Sequence, residues 1–333
     1  MDGVPVGVFL PTFSGPNRRS AQEIVAFARR AEELGFDSLW ATDHLLHGSR
    51  FYRVPWLDPL MALSCVAGVT DRVRLGTSIL VMPTRHPVVL AKEIATLQAL
   101  SGDRYILGAG TGWDAREFEA VGAAKAERGS RTDEALAIVR RLLAGKRVSV
   151  DGRHYRLRDV EVGPPMERPL EVWIAGGRQL PHPSSPEPPT LAAAVLDRIS
   201  EAGGWIARPT AAPAQIKEDR DEILSFLSSR GRGPDRFTVA HENFLHLVPT
   251  DDTRTALVEQ RRVFNEVMSE ERPFEYLEQV YLTGSVEQVL QKLDERLAAG
   301  VEYLMLHTLE PSTEQLQLWA EHLLPHLRGG GRA

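Results

Sequence analysis

An aspartate and a histidine, Asp43 and His44, stand side by side directly after an apolar run that ends at Thr42. A carboxylate beside an imidazole can tune a proton donor or acceptor near neutral pH, which would suit acid–base catalysis. A helix-capping aspartate followed by an exposed histidine would give the same pair, because a two-residue motif has low specificity. His47 lies three residues after His44, but no further cluster of ligands stands out, so we predict no metal site.

Three glycine-containing segments could also carry chemistry. In Gly108-Ala109-Gly110-Thr111-Gly112-Trp113, small residues would let a flat ring or a phosphate approach the backbone, although tight turns alone would also require them. The segment is not the dinucleotide-binding fingerprint, because its third glycine falls one position early. Gly76-Thr77-Ser78 lies inside an apolar run, where glycine indicates a bulge or a close ligand. Gly176-Gly177-Arg178 could cradle a phosphate, or it could be a flexible turn with a surface arginine.

The sequence around these segments predicts the elements that would position them. Short apolar runs alternate with helical patterns, such as the capping box Ser20-Ala21-Gln22-Glu23 that begins a helix and the Gly35 that ends it. The predicted strands are residues 6–13, 38–42, 73–81, 104–109, 170–175, 205–207, 237–248 and 301–307. Eight strands, mostly separated by helices, predict an α/β fold, a (β/α)8 TIM barrel with insertions. In such barrels the chemistry takes place on the loops that follow the strands.

We expect a single TIM-barrel domain over residues 1–333 that contains two insertions and ends in a helix. The Asp151-Gly152 turn predicts a hairpin insertion at about 147–160. Five prolines make a helix unfavourable at about 179–189, so that this segment is either a functional cover over the site or a disordered excursion. The C-terminal helix is expected at about 313–327.

The composition excludes several classes of protein. With 45 acidic and 39 basic residues the net charge is −6, which argues against a nucleic-acid partner bound through bulk positive charge. Cys65 is the single cysteine, so a disulfide framework and a cysteine-rich metal site are excluded. No apolar run reaches the roughly 20 residues that span a bilayer, and the start of the chain does not resemble a signal peptide. We therefore expect a cytoplasmic enzyme with a small-molecule substrate and neither nucleic acid nor membrane as partner.

The order and spacing of six segments resemble the luciferase-like monooxygenase superfamily, the flavin and deazaflavin enzymes built on a TIM barrel. The resemblance covers nearly the whole chain and is greatest to the branch that depends on the deazaflavin coenzyme F420. That branch has an Asp-His pair after the second strand, whereas bacterial luciferases tend to have Glu-His-His. The segments are Gly35 to His44, Arg72 to Thr77, His86 to Lys92, Leu100 to Arg104, Leu107 to Trp113 and Arg128 to Glu134.

The resemblance implies a cofactor in the mouth of the barrel, either F420 or, as the alternative, FMN. It places the catalytic role on His44, with Asp43 fixing its orientation or holding its cationic form, and it implies a cis peptide between Ser78 and Ile79. The implied cofactor-binding residues follow the third, fourth and fifth strands: Thr77, Ser78, Gly110, Thr111, Gly112, Gly176, Gly177 and Arg178. Aromatic residues that could wall a substrate pocket, or simply belong to the core, are Phe51, Tyr52, Trp56 and Trp113.

Two departures from the family pattern affect this expectation. Some sugar-phosphate dehydrogenases of the superfamily have a catalytic glutamate where this chain has Trp113, so that acid is missing here. The proline-rich stretch after Gly177 exceeds the usual short turn, which puts phosphate contacts beyond Arg178 in doubt.

Three functions remain open at this point. Hydride transfer between reduced F420 and an unknown organic substrate is the main expectation, because a deazaflavin transfers hydride and reacts poorly with oxygen. The alternative is an FMN-dependent monooxygenase that receives reduced FMN from a partner reductase, since the cofactor decides between these chemistries. The third is a non-catalytic flavin-binding protein. We also expect a homodimer and a flavin or F420 reductase as partner.

Overall fold

Eight parallel strands close into a barrel in the structure, a computed structural model that describes residues 3–13, 20–48, 51–181, 190–233, 237–310 and 312–329. The strands are β1 (Val6–Phe9), β2 (Ser38–Ala41), β3 (Arg74–Thr77), β4 (Leu80–Val81), β5 (Tyr105–Gly110), β6 (Val148–Asp151), β7 (Arg156–Val160), β8 (Glu171–Gly176), β9 (Gly204–Ala207), β10 (Thr238–Leu245) and β11 (Tyr303–Thr308). Around the barrel the strands follow one another in the order β3-β2-β1-β11-β10-β9-β8-β5, and β3 pairs with β5 to close it. This arrangement confirms the predicted TIM barrel.

The predicted third strand, residues 73–81, is two strands in the structure. β3 pairs with β2, and the backbone N–H of Ser78 still donates to the carbonyl of Ala41 on that side. β4 pairs instead with β5, so that the run changes its neighbour and does not form one ladder. The Ser78–Ile79 peptide between the two strands is cis, which confirms the prediction.

Twelve helices lie among the described residues, and most of them connect successive strands. The capping box predicted at Ser20 is confirmed: Ser20 Oγ accepts from the backbone N–H of Glu23, whose carboxylate accepts in return from the N–H of Ser20 at 2.7 Å. The helices are α1 (Ala21–Glu33), α2 (Pro59–Ala67), α3 (Pro87–Ser101), α4 (Ala115–Ala120), α5 (Arg128–Leu143), α6 (Ala193–Ser200), α7 (Pro213–Ser229), α8 (Thr253–Val267), α9 (Phe274–Val280), α10 (Val286–Ala298), α11 (Thr313–His322) and α12 (Leu324–Arg328).

The remaining predicted segments differ in how far the structure describes them. β6 and β7 form an antiparallel hairpin at the position of the predicted insertion. The predicted C-terminal helix is divided into α11 and α12, because Pro325 has no N–H to continue the hydrogen bonds of α11. The proline-rich segment lies largely outside the described residues, which end at 181 and resume at 190. In the ranges given above, no helix is both long enough and apolar enough to cross a membrane.

Large side chains from the barrel strands fill the interior of the barrel. The indole rings of Trp40 on β2 and Trp173 on β8 stack with their centroids 5.4 Å apart, and both contact the ring of Tyr303 on β11. Gly76 on β3 leaves the space that the Trp40 ring occupies, because a Cβ at this position would overlap the six-membered ring of the indole. Close packing of these aromatic rings therefore stabilises the barrel beneath the carboxyl ends of its strands.

Gly76→Ala is expected to lower the free energy of unfolding by about 1–3 kcal/mol, since the methyl group overpacks a rigid, buried indole. Urea unfolding monitored by tryptophan fluorescence measures the change. Gly68→Ala is the control, because Gly68 has a φ of −84° and no atom near its Cβ position. Equal stability of the two variants would show that the Trp40 ring does not depend on Gly76.

Candidate active site

A cavity of about 410 Å³ lies at the carboxyl ends of the barrel strands. It is lined by residues at or after the ends of β2, β3, β5, β8 and β9, together with Glu242 of β10. Of the sequence-predicted site residues, those that line this cavity are Asp43, His44, Phe51, Tyr52, Ser78, Gly110, Thr111, Gly112, Trp113 and Gly176. Four others do not line it: Trp56, Thr77, Gly177 and Arg178. The strand ends thus bring most of the predicted residues together, although they are distant in the chain.

A carboxylate from the connection that follows β5 contacts the imidazole of His44. His44 Nδ1 lies 3.3 Å from Oε1 of Glu117 on α4, and the same oxygen accepts the backbone N–H of Leu45 at 2.9 Å. Both side chains are buried, with 7% of His44 and 3% of Glu117 exposed. Because an ionised carboxylate can only accept, the geometry assigns the proton to Nδ1 and leaves Nε2 without a role in this contact.

Asp43 has a different role from the one expected for it. Both of its oxygens accept from the guanidinium of Arg85, with Nη2 3.0 Å from Oδ1, and Oδ2 also accepts the N–H of Val81 at 2.8 Å. No hydrogen bond joins Asp43 to His44 among the residues that the structure describes. The expectation that Asp43 orients the imidazole is therefore corrected: Asp43 ties the end of β2 to β4, while Glu117 contacts His44.

Sequence reasoning missed Glu117 because nothing local marks it. It lies 73 residues after His44 and in the first turn of a short helix, where an acidic residue is common. The family pattern indicated an acid at the position of Trp113, and the chain has Glu117 four residues later. The only available signal was its place in the loop after a barrel strand.

Glu242 is a second carboxyl group that sequence reasoning missed. It lies on β10, is 8% exposed, lines the cavity, and its Oε2 accepts from the hydroxyl of Ser78 at 2.7 Å. Burial raises the pKa of Glu242 to about 7, although the Ser78 hydrogen bond and the charge of Arg272 oppose the shift. A carboxyl group that titrates near neutral pH can act as acid or base. An acidic residue inside the apolar run 237–248 was the overlooked signal.

Aromatic rings surround the imidazole of His44. The ring centroids of Tyr52 and Trp113 lie 5.3 and 5.8 Å from that of His44. Trp56 packs against the same imidazole at 5.6 Å without lining the cavity, and Phe51 packs against Trp113 at 4.9 Å. Three of the four predicted pocket residues, Phe51, Tyr52 and Trp113, thus form a wall of the cavity beside His44, which we call the aromatic wall.

Three of the basic side chains that line the cavity come from the segments that follow β5 and β9: Lys125, Arg128 and Arg208. Nε of Arg208 donates to the carbonyl of Gly177 at 2.7 Å. Burial lowers the pKa of Arg208, and the nearby Arg128 contributes to this against the opposing charge of Asp219. None of the three basic groups has an ion-pair partner within the described part of the chain. Together they make one end of the cavity positively charged, which we call the basic end.

Arg178, which the sequence suggested as the phosphate ligand, is held away from the cavity by carboxylates of α7. Its guanidinium pairs with Asp219, with Glu222 at 2.9 Å and with Glu218 at 3.2 Å, and its backbone N–H donates to Asp219 at 2.6 Å. These three acids lie about 40 residues later in the chain, so the local motif Gly176-Gly177-Arg178 gives no sign of them. Their negative charge compensates the charge that was expected to bind the cofactor.

The glycines after β5 serve packing at two positions. A Cβ on Gly110 would overlap the side chain of Ile79, and one on Gly112 would lie 2.6 Å from Val81 Cγ1. Gly112 also has a φ of +72°, which a residue with a side chain rarely adopts. The tight-turn alternative therefore accounts for Gly112, and packing against Ile79 at the end of β5 accounts for Gly110.

Comparison with known proteins agrees with this geometry. Residues 4–303 match the model of the luciferase-like monooxygenase family. The chain belongs to the luciferase-like monooxygenase family. It is 30% identical over 345 residues to an F420-dependent glucose-6-phosphate dehydrogenase of Microbacterium testaceum, covering 94% of each chain. It is 28% identical to the corresponding enzyme of Beutenbergia cavernae, covering 93% of this chain and 95% of that one.

Solved structures of other proteins share the fold. An F420-dependent secondary alcohol dehydrogenase in complex with an F420-acetone adduct superposes with a TM-score of 0.79 at 17% identity, covering 98% of this chain and 99% of that one. A monooxygenase from Streptomyces bottropensis superposes with a TM-score of 0.77 at 23% identity, covering 97% and 99%. From the family match and the curated relatives, the protein is an oxidoreductase of the luciferase-like family.

The raised pKa of Glu242 predicts a pH-dependent stability. A folded-state pKa of about 7 lies above the ordinary value of 4.5. The contribution of Glu242 to the free energy of unfolding is therefore complete below pH 4.5 and is lost as the pH rises through 7. Relative to Glu242→Gln, which stays neutral, the wild-type free energy of unfolding should fall by up to about 3 kcal/mol between pH 5 and 8.

Urea unfolding at several pH values checks this expectation, with the exposed Glu119→Gln as the control. Parallel stability curves for wild type and Glu242→Gln would contradict it.

Proposed function

We propose that the protein is an F420-dependent oxidoreductase that transfers hydride between F420 and an organic substrate in the cavity at the strand ends. The observation that supports this best is the buried His44–Glu117 pair, which faces the same cavity as the basic end. Relatives that match nearly the whole chain are F420-dependent dehydrogenases, and this favours F420 over FMN.

The residues of the cavity fit such a cofactor. Lys125, Arg128 and Arg208 provide uncompensated positive charge for a phosphate, and arginine binds phosphate through paired hydrogen bonds. The hydroxyl of Thr42 is buried in the cavity wall without a hydrogen-bond partner in the described structure, so it can bond to a ligand. Arg178 is left out of this assignment because α7 supplies its counter-ions.

Bound F420 would supply the hydride chemistry, and the side chains of the chain would handle the proton. With Nδ1 directed to Glu117, we assign the exchange of a proton with the substrate oxygen to Nε2 of His44. A cationic imidazole is favoured by the neighbouring carboxylate, so Glu117 would stabilise His44 after it has accepted a proton. The aromatic wall would exclude water around the reacting groups.

The cofactor preference can be measured directly. F420 is expected to bind at least tenfold more tightly than FMN, a difference of about 1.4 kcal/mol, in an equilibrium titration followed by tryptophan fluorescence. Tenfold tighter binding of FMN would favour the FMN-dependent monooxygenase, for which the basic end fits equally well. Binding without turnover by any reduced flavin would favour a non-catalytic flavin-binding protein.

Arg208→Gln is expected to weaken F420 binding by about 1.5–3 kcal/mol, the usual contribution of a charge-assisted hydrogen bond. Arg178→Gln is the matched control and should leave the dissociation constant within a few-fold of wild type, because the three acids of α7 already occupy its guanidinium. A larger loss of F420 affinity in Arg178→Gln than in Arg208→Gln would show that Arg178 binds the phosphate.

His44→Ala is expected to reduce turnover by about 10²–10⁴-fold while F420 affinity stays within a few-fold, since general acid–base help is lost. Glu117→Gln should reduce turnover less, because the imidazole is kept and only the charge that stabilises its cationic form is removed. The exposed Glu119→Gln is the control for the glutamate change. Retention of more than about a tenth of wild-type turnover by His44→Ala, with chemistry rate-limiting, would mean that another group moves the proton.

The homodimer, the partner reductase and the cytoplasmic location stay predictions. The single-domain organisation over residues 1–333 also stays a prediction.

A further inference from the structure

A half-buried arginine, Arg272, lies in the cavity wall and has no counter-ion among the described residues. Arg272 immediately precedes Pro273 and α9, and its side chain lines the cavity. Its Nη1 donates to the hydroxyls of Tyr281 at 2.9 Å and Tyr52 at 3.3 Å. Its Nε is buried and has no hydrogen-bond partner, and no carboxylate of the described residues lies within 4.0 Å of the guanidinium. All of these contacts are with neutral groups.

Other partly buried arginines of the chain are satisfied in a different way. Arg104 donates to four backbone carbonyls, at 2.6 Å to Ser101, 2.7 Å to Val73, 2.9 Å to Ala67 and 2.8 Å to Thr70. Arg296 is buried and donates to the carbonyls of Lys292 at 2.6 Å and Val280 at 2.8 Å, although its Nε, like that of Arg272, has no partner in the described structure. Arg272 has two phenol hydroxyls and the faces of aromatic rings, with its guanidinium carbon 4.3 Å from the centroid of Phe51.

This environment orients the guanidinium without neutralising it. Arginine keeps its charge in proteins, and a buried charge is unfavourable unless it is paired. Glu242 acts on Arg272 through space but forms no ion pair with it. An anion that enters the cavity would form the ion pair that Arg272 lacks among the described residues.

Arg272 is distinct from the basic end. The guanidinium of Arg208 donates to Gly177 and is influenced by the charges of Asp219 and Arg128. The guanidinium of Arg272 contacts Tyr52, Tyr281 and Phe51, so the two groups share none of these partners. Tyr52 connects Arg272 to the catalytic region instead, because its ring also packs against His44 with the centroids 5.3 Å apart. A ligand at Arg272 therefore lies beside the imidazole and the aromatic wall.

We propose that Arg272 binds an oxyanion, a carboxylate or a phosphate, that the substrate carries next to its reacting carbon. The aromatic wall would contact the rest of that substrate, so the class is an anionic molecule with an apolar or flat body. That this anion belongs to the substrate rests on the proposed function. The binding of an anion at Arg272 does not depend on it.

Three probes of similar shape test the anion separately from the chemistry: phenyl phosphate, benzoate and the neutral benzamide. Titrations of the protein, with and without saturating F420, are followed by tryptophan fluorescence. Wild type should bind phenyl phosphate or benzoate about tenfold to a hundredfold more tightly than benzamide, the range expected of a charge-assisted contact. The tighter of the two anions identifies the group, and equal binding of all three probes would overturn the proposal.

Variants show which arginine causes the preference for the anionic probes over benzamide. Arg272→Gln should abolish it, and Arg208→Gln, measured with F420 bound, should retain it. Arg272→Met is the second variant in case the glutamine variant fails to fold, because exchange of an unpaired buried charge for an apolar side chain of similar length is tolerated. A preference for the anions that survives removal of Arg272 would overturn the proposal.

Two further readouts separate this role from others. The melting temperature of Arg272→Met should equal or exceed that of wild type, whereas a large decrease would make Arg272 a structural residue and overturn the proposal. F420 affinity should be unchanged in Arg272→Gln, and a tenfold loss would assign Arg272 to the cofactor. If F420 fails to bind wild type while the anion preference depends on Arg272, the proposed function fails and the anion site stands.

Discussion

The closure of eight parallel strands determines where every residue of the site can lie. Pairing of β3 with β5 completes the ring, and all eight carboxyl ends then face one rim. His44 after β2, Ser78 after β3 and Arg208 after β9 meet at one cavity only because of this closure. The stacked indoles of Trp40 and Trp173 fill the barrel below it, so the rim rests on a closely packed interior.

The counter-ion of each arginine distinguishes the roles of the arginines around the rim. Arg85 pairs with Asp43 and thereby fixes the end of β2, and Arg178 is neutralised by acids of α7. Arg208 and Arg272 line the cavity without ion-pair partners among the described residues. Charge that is already compensated stabilises the fold, while charge left uncompensated in a partly buried wall is available to a ligand. The proposed positions of the cofactor phosphate and of the substrate anion both follow from this distinction.

The features that could be predicted from the sequence are those that depend on near neighbours in the chain. The capping box at Ser20, the alternation of strands and helices, and His44 at the end of a strand are all local patterns. The family resemblance also implied the cis peptide at Ser78. Glu117 and Glu242 could not be found in this way, because their partners are 73 and 164 residues away and arise only when the barrel closes.

The most direct measurement is the position of F420 in a crystal structure of its complex with this protein. The account predicts that the phosphate lies within hydrogen-bonding distance of the guanidinium of Arg208 and that the deazaflavin ring lies in the cavity beside Nε2 of His44. A phosphate bound to Arg178, with the ring outside the cavity that His44 lines, would contradict it.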